Sequence, residues 1–173
     1  GMGGESWFRT PEGIHTIMAL RGDPPRDHAG QEDPHHHFPY ASDLVGFIRH
    51  HFPHMRIGVA GYPEGHRLAP NRLKEMAYLR DKVDAGADYL VTQIFFDNRD
   101  YLDFVERCRL QGIQIPVLPG LMPITSLANM ERMSELSPGT RFPARLLRHL
   151  LRAGDEGDGG NVERAGLHWT AEQ

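Results

Sequence analysis

Cysteine is almost missing from these 173 residues: Cys108 stands alone, so no intrachain disulfide can form. That fits a reducing compartment, with the cytoplasm as the default expectation. Long apolar runs are missing too. No stretch reaches the roughly 18 apolar residues that a membrane helix requires, and Gly1 to Gly13 lacks the apolar centre of a signal peptide. Neither sign of charge clusters. The net charge is -4 with acidic and basic residues interspersed, which argues against a nucleic-acid or anionic-membrane surface as the main partner. No repeat of solenoid period is present, and no Gly-x-Gly-x-x-Gly fingerprint follows any strand-like run. What remains is a chain for small partners. Its hydrophobic content of 39% suffices for one packed core, and no linker-like shift divides it, so residues 1–173 are expected to be one domain with its ordered core at 14–151.

The most informative stretch runs from Ile57 to Asn98. A short apolar run, Ile57 to Gly61, breaks into the polar turn Tyr62-Pro63-Glu64-Gly65-His66. A helical pattern follows, in which Asn71 can cap and Leu73, Met76, Ala77, Leu79 and Val83 form an apolar stripe before Ala85-Gly86 ends it. A second apolar run, Tyr89 to Phe96, closes at Asp97-Asn98. Strand, turn, helix and strand in this order deliver two parallel carboxyl ends to one side of a sheet, where α/β proteins place ligand groups.

The rest of the chain repeats the unit. Ile14 to Leu20 reads as a strand stopped by Arg21-Gly22-Asp23-Pro24-Pro25. Arg26 to Pro39 has loop composition, and a helix opens at Tyr40-Ala41-Ser42-Asp43 and stops at Pro53. After Asn98 a helix is expected from Tyr101 to Gly112, then a strand at Ile115 to Pro119. Helical patterns follow around Leu127 to Leu136 and Ala144 to Leu151, a Gly/Asp loop at Gly154 to Gly160, and a last helix from Asn161. About four strand-helix units with nearly all-apolar strands predict a parallel sheet buried on both faces. Polar residues at every strand end, without a dinucleotide fingerprint, favour a (β/α)8 barrel over a doubly wound sheet. A closed barrel needs eight strands and typically about 250 residues, so the expectation is a partial (β/α)8 barrel, incomplete at both ends.

Several residues bear on chemistry, each with two readings. Arg21-Gly22-Asp23 either presents a charge pair to a ligand or caps a strand in solvent. Turn geometry accounts for Pro63 and Gly65 but not for Tyr62 or His66. Gln93, inside an otherwise apolar strand, must satisfy its amide in a structural network or on a ligand. Lys82 either complements a helix C-terminus or reaches a phosphate. His28 and His35-His36-His37, with His50, His51 and His54, raise a metal site, but consecutive histidines cannot all face one ion, and no metal is expected. Cys108 lies on an apolar stripe with Phe104 and Val105 and reads as an inert buried thiol.

Taken together, Leu20-Arg21-Gly22-Asp23, Tyr40-Ala41-x-Asp43-Leu44, Val59-Ala60-Gly61-Tyr62-Pro63-Glu64-Gly65-His66, Leu79-x-x-Lys82-Val83-x-Ala85-Gly86-Ala87-Asp88, Thr92-Gln93-x-Phe95-Phe96-Asp97 and Pro119-Gly120-Leu121-Met122-Pro123-Ile124 stand in the order seen in methylenetetrahydrofolate reductases, over roughly Ile14 to Leu151. The chain resembles that family. The resemblance implies an FAD-containing barrel in which NAD(P)H reduces the flavin and the flavin passes hydride to methylenetetrahydrofolate, giving methyltetrahydrofolate. It implies flavin-side roles for Arg21, Gly22, Asp23, Tyr40, Ala41, Tyr62, His66, Ala69, Glu75 and Lys82. Substrate-side roles are implied for Asp23 and Gln93, with Met133 where some relatives place an aromatic. Two departures stand out. Tyr78 and Asp81 do not keep the chemistry found in some relatives at those positions, and the family's catalytic glutamate has no counterpart here, since Glu5 and Glu12 are in the wrong context. The competing expectation is a non-catalytic half-barrel that binds a nucleotide or assembles with a partner. Either way unpaired strand edges favour self-association, a homo-oligomer.

Overall fold

The structure is a computed structural model that describes residues 13–20, 38–155 and 159–173. Four strands, β1 (Thr16–Ala19), β2 (Arg56–Gly61), β3 (Tyr89–Ile94) and β4 (Val117–Gly120), form one sheet in the order β1-β2-β3-β4. Every neighbouring pair is parallel. Between them run α1 (Ala41–His51), α2 (Arg72–Asp84) and α3 (Asn98–Leu110). After β4 come α4 (Leu127–Leu136), α5 (Ala144–Asp155) and α6 (Gly159–Ala171). The strand order never reverses, so this sheet has no topological switch point of the doubly wound kind. It has instead the sequential order of successive barrel strands.

Alternation along the strands explains how the layers pack. Ala19, Ile57, Val59 and Leu90 point one way and meet Val45 and Ile48 of α1, Met76 and Leu79 of α2, and Phe104 and Cys108 of α3 in one core. The reverse face is open: Met18 and Leu118 are 37% and 47% exposed, and Gln93 is exposed. The expectation of a sheet buried on both faces is therefore corrected. Three crossovers of one hand put all three helices on the same side, and no described segment covers the other. A second core, Phe96, Ile124, Met133, Leu146, Leu150 and Val162, knits α4, α5 and α6 to the end of β3. Trp169 Nε1 and Gln173 Nε2 donate to the carbonyls of Phe96 and Phe95 at 3.1 and 3.0 Å.

Element ends follow local chemistry. Asn71 caps α2 by accepting from Lys74 N at 2.9 Å, and Asp97 caps α3 by accepting from Arg99 N at 3.0 Å. The Asp97 cap starts α3 at Asn98, one turn before the expected Tyr101. Pairing of β4 starts at Val117 rather than at the expected Ile115: Pro116 has no N–H to give, and only its carbonyl is used, by Leu90 N at 2.8 Å. Between β3 and β4 the register shifts across Val91 to Ile94. There Thr92 Oγ1 accepts from Gly120 N at 2.8 Å, and a Cβ at position 120 would run into the Thr92 carbonyl. Asp88 staples three elements, accepting from Ile57 N at 2.8 Å, Arg49 at 2.6 Å and Arg56 at 3.2 Å. Among the described residues no helix is long and apolar enough to cross a membrane.

Candidate functional site

A cleft of about 510 Å³ lies beyond the carboxyl ends of β2 and β3. One wall is the turn after β2, Tyr62 to Leu68. The other is the α4–α5 connection, Glu135 to Thr140. Gln93 and Ile94 form the floor.

The turn is held from several sides. Gly65 N donates to the Tyr62 carbonyl at 3.1 Å, and Gly65 takes φ of 99°, a conformation that side chains resist. Glu75, buried in the first turn of α2, accepts from the His66 N–H at 2.8 Å and from Arg72 Nη1 at 3.0 Å. His66 Nδ1 accepts from Leu68 N at 3.1 Å, so in the neutral ring Nε2 carries the hydrogen. The Tyr62 ring stands edge-on to His66, centroids 4.5 Å apart at 76°. Arg107 Nη2 donates to the Pro63 carbonyl at 3.0 Å.

Three residues singled out in the sequence therefore converge on the cleft: Tyr62, His66 and Gln93. Gln93 is exposed rather than buried in a network, because the sheet face that carries it is open. Others take supporting places. Glu75 positions the His66 backbone, and Ala69 N closes a turn on the His66 carbonyl at 3.1 Å. Tyr40 and Ala41 start α1 and do not line the cleft; Tyr40 N donates to Asp43 Oδ2 at 3.1 Å. Met133 is buried in the second core. Lys82 does not reach the cleft: its Nζ donates to the Ala60 carbonyl at 2.7 Å. Burial lowers its pKa to about 8, against the opposing charge of Glu75. Arg21, Gly22 and Asp23 lie outside the described residues, as do His28 and His35 to His37.

Some cleft residues were not singled out in the sequence. Arg67 lines it as a cation, and Ser137, Pro138, Gly139 and Thr140 form its second wall. Ser-Pro-Gly-Thr is turn composition, which marks a loop but not its facing partner. Two acids line the cleft, Glu135 of the second wall and Glu64 of the turn already quoted from the sequence; burial raises the pKa of Glu64, and hydrogen bonds from Arg141 partly offset the rise. Cys108 is buried and free, its thiol pushed up to about 11 by burial and so inert at neutral pH. Among the described residues no group of three or more His, Cys, Asp or Glu could hold a metal ion.

A parallel sheet in sequential strand order, with polar groups gathered beyond the carboxyl strand ends, places the chain in the (β/α)-barrel class. The family profile "Methylenetetrahydrofolate reductase" matches residues 9–173. The chain belongs to that family. It is 39% identical over 140 residues to methylenetetrahydrofolate reductase 2 of Saccharomyces cerevisiae, covering 78% of this chain and 23% of the relative. It is 38% identical over 170 residues to methylenetetrahydrofolate reductase (NADH) 1 of Arabidopsis thaliana, covering 92% of this chain and 28% of the relative. The chain thus spans about a quarter of the length of these relatives. A solved structure of an uncharacterized protein from Clostridium thermocellum, which binds two copies of 5-methyl-5,6,7,8-tetrahydrofolic acid, shares the fold with a TM-score of 0.56 at 20% identity. That match covers 76% of this chain and 44% of the other.

Proposed function

We propose that this chain forms a flavin-binding wall of a methylenetetrahydrofolate reductase, serving the reduction of 5,10-methylenetetrahydrofolate to 5-methyltetrahydrofolate with NAD(P)H as donor. The observation that carries this reading is the convergence of Tyr62, His66 and Gln93 on one cleft at the carboxyl ends of β2 and β3. The residues fit an isoalloxazine-type ligand. Tyr62 and His66 offer an edge-packed aromatic wall, and Gln93 offers an exposed amide that both donates and accepts. Arg67 supplies positive charge on the same rim.

FAD, when bound, supplies the hydride-carrying ring. The chain's own residues bind and orient. Tyr62 and His66 hold the ring edge, with the His66 Nε2–H as donor. Gln93 orients the folate or the nicotinamide, the two substrates using one face in turn. Asp23 is assigned a place beside the flavin ring, where a carboxylate disfavours added electron density and approaches the folate. Arg21 and Gly22 accompany it, and Glu75 acts through the His66 backbone. Lys82 keeps its assigned place near the cofactor's phosphates: its ammonium has three donors, and the Ala60 carbonyl takes one of them.

Titration of FAD against the folded chain, followed by quenching of flavin fluorescence, tests the reading. Saturable but weak binding is expected, too weak to survive gel filtration. Tyr62→Ala and His66→Ala should each weaken it by about tenfold, the loss of one good aromatic or hydrogen-bonding contact. Absence of saturable quenching would sink the reading. Equal affinity for ADP and FAD would instead favour the half-barrel that binds a nucleotide without catalysis.

A further inference from the structure

The two walls of the cleft come from segments far apart in the chain, and one side chain joins them. Arg141, just past the second wall, donates from its backbone N to Glu64 Oε1 at 3.0 Å and from Nε to the same oxygen at 3.2 Å. Its Nη2 donates to Asp100 Oδ1 at the start of α3. Ion pairs between exposed side chains contribute little. This one differs, because the Glu64 side chain is 7% exposed while that of Arg141 is 66% exposed. A carboxylate removed from water must be paired, and Arg141 supplies both a cation and a backbone donor. Arg72 Nη2 holds the Glu64 carbonyl from α2, so Glu64 is fixed at its backbone from one side and at its carboxyl group from the other.

We propose that Glu64 and Arg141 form a latch that sets the width of the cleft, acting as positioning residues for whatever the cleft binds. The flavin readout of this proposal rests on the function proposed above; its exchange readout does not. The charged groups facing the Glu64 carboxyl are Arg141 from the α4–α5 connection and Asp100 from α3, the first favouring its ionised form and the second opposing it. Breaking the latch frees Glu135 to Thr140 to move away from the β2–α2 turn. The wall loosens while both cores stay packed, since neither Glu64 nor Arg141 belongs to them.

A double-mutant cycle with Arg141→Gln, Glu64→Gln and the pair tests it, reading amide hydrogen exchange over residues 135–141, FAD affinity and Tm. Each single change should speed exchange in that segment and weaken FAD by about tenfold, within the range for directly coupled neighbours. The double variant should be no worse than the poorer single one. Arg141→Lys, which keeps the charge, should recover part of the loss, and in Arg141→Gln the FAD affinity should acquire a pH dependence from the unpaired Glu64 that the Glu64→Gln background lacks. A general fall in Tm with exchange in 135–141 and FAD affinity unchanged would overturn the latch, as would strictly additive effects. If the unaltered chain binds no FAD, the flavin reading fails, and the exchange cycle still decides the latch.

Discussion

At the scale of single residues, Lys82 shows how a position that reads as a surface cation becomes something else on folding. Its amine donates to the Ala60 carbonyl of β2 at 2.7 Å, and burial, which penalises the charged form, lowers its pKa to about 8. A free lysine titrates near 10.4. Between these values the unfolded chain holds a proton that the folded chain has released, so folding stability rises with pH across that window. Below about 8 both states are charged and the full penalty applies. Lys82→Met removes the titration. The stability of the unaltered chain relative to Lys82→Met should therefore increase from pH 8 to pH 10, as read from denaturant midpoints; a flat difference would contradict the burial argument. Residue identity alone did not reveal this, because helical spacing places Lys82 in a last turn but does not say how far folding buries its amine. Gln93 was legible as chemically unusual for the same reason it matters: an amide in an apolar strand has to face something polar. The direction it faces depended on a covering layer that no local pattern encodes.

At the scale of elements, the strand-helix order was readable because apolar runs, caps and breakers are local. Asn71, Asp97 and Pro116 each set an element end through their own hydrogen-bonding capacity. Less readable were the ties between elements, above all Asp88. Desolvation pushes its pKa up, but the Ile57 N–H, Arg49 and Arg56 outweigh it and hold the carboxyl below its ordinary value. With the folded pKa depressed, its contribution is fully present above the unfolded value of about 3.9 and is lost as pH falls through the lower folded value. Asp88→Asn should cost about 2 kcal/mol at neutral pH, the scale of a charge-assisted hydrogen bond. The difference between variant and parent should shrink below about pH 4. Urea unfolding at pH 7 and pH 3 measures both. The α4–α5 wall was hidden for a related reason. Ser137-Pro138-Gly139-Thr140 reads as a turn, but its apposition to Tyr62 through His66 depends on Arg141 crossing a sequence separation of 77 residues.

At the scale of the whole molecule, the asymmetry of the sheet governs behaviour. One face is sealed by α1, α2 and α3, while the other presents Met18, Leu118 and Gln93 with apolar Leu121 and Met122 beyond the end of β4. Among the described residues both outer strands, β1 and β4, pair on one side only. Exposed apolar side chains on a sheet face whose edge strands have no further partner among the described residues are what soluble proteins ordinarily cover or blunt. The 173-residue chain taken by itself should therefore self-associate, with a sedimentation coefficient that climbs with concentration. Placing charges on that face, as in Met18→Lys with Leu118→Lys, should reduce the association without disturbing either core, because both side chains point away from the helices. The same pair of changes leaves Tyr62, His66 and the Glu64–Arg141 contact in place, so weak FAD quenching should persist in the charged variant. Concentration-independent monomers of the unaltered chain would show that the open face is too small or too well hydrated to drive association. Persistence of association in the charged variant would instead assign it to the strand edges, where main-chain hydrogen bonds are indifferent to the side chains replaced.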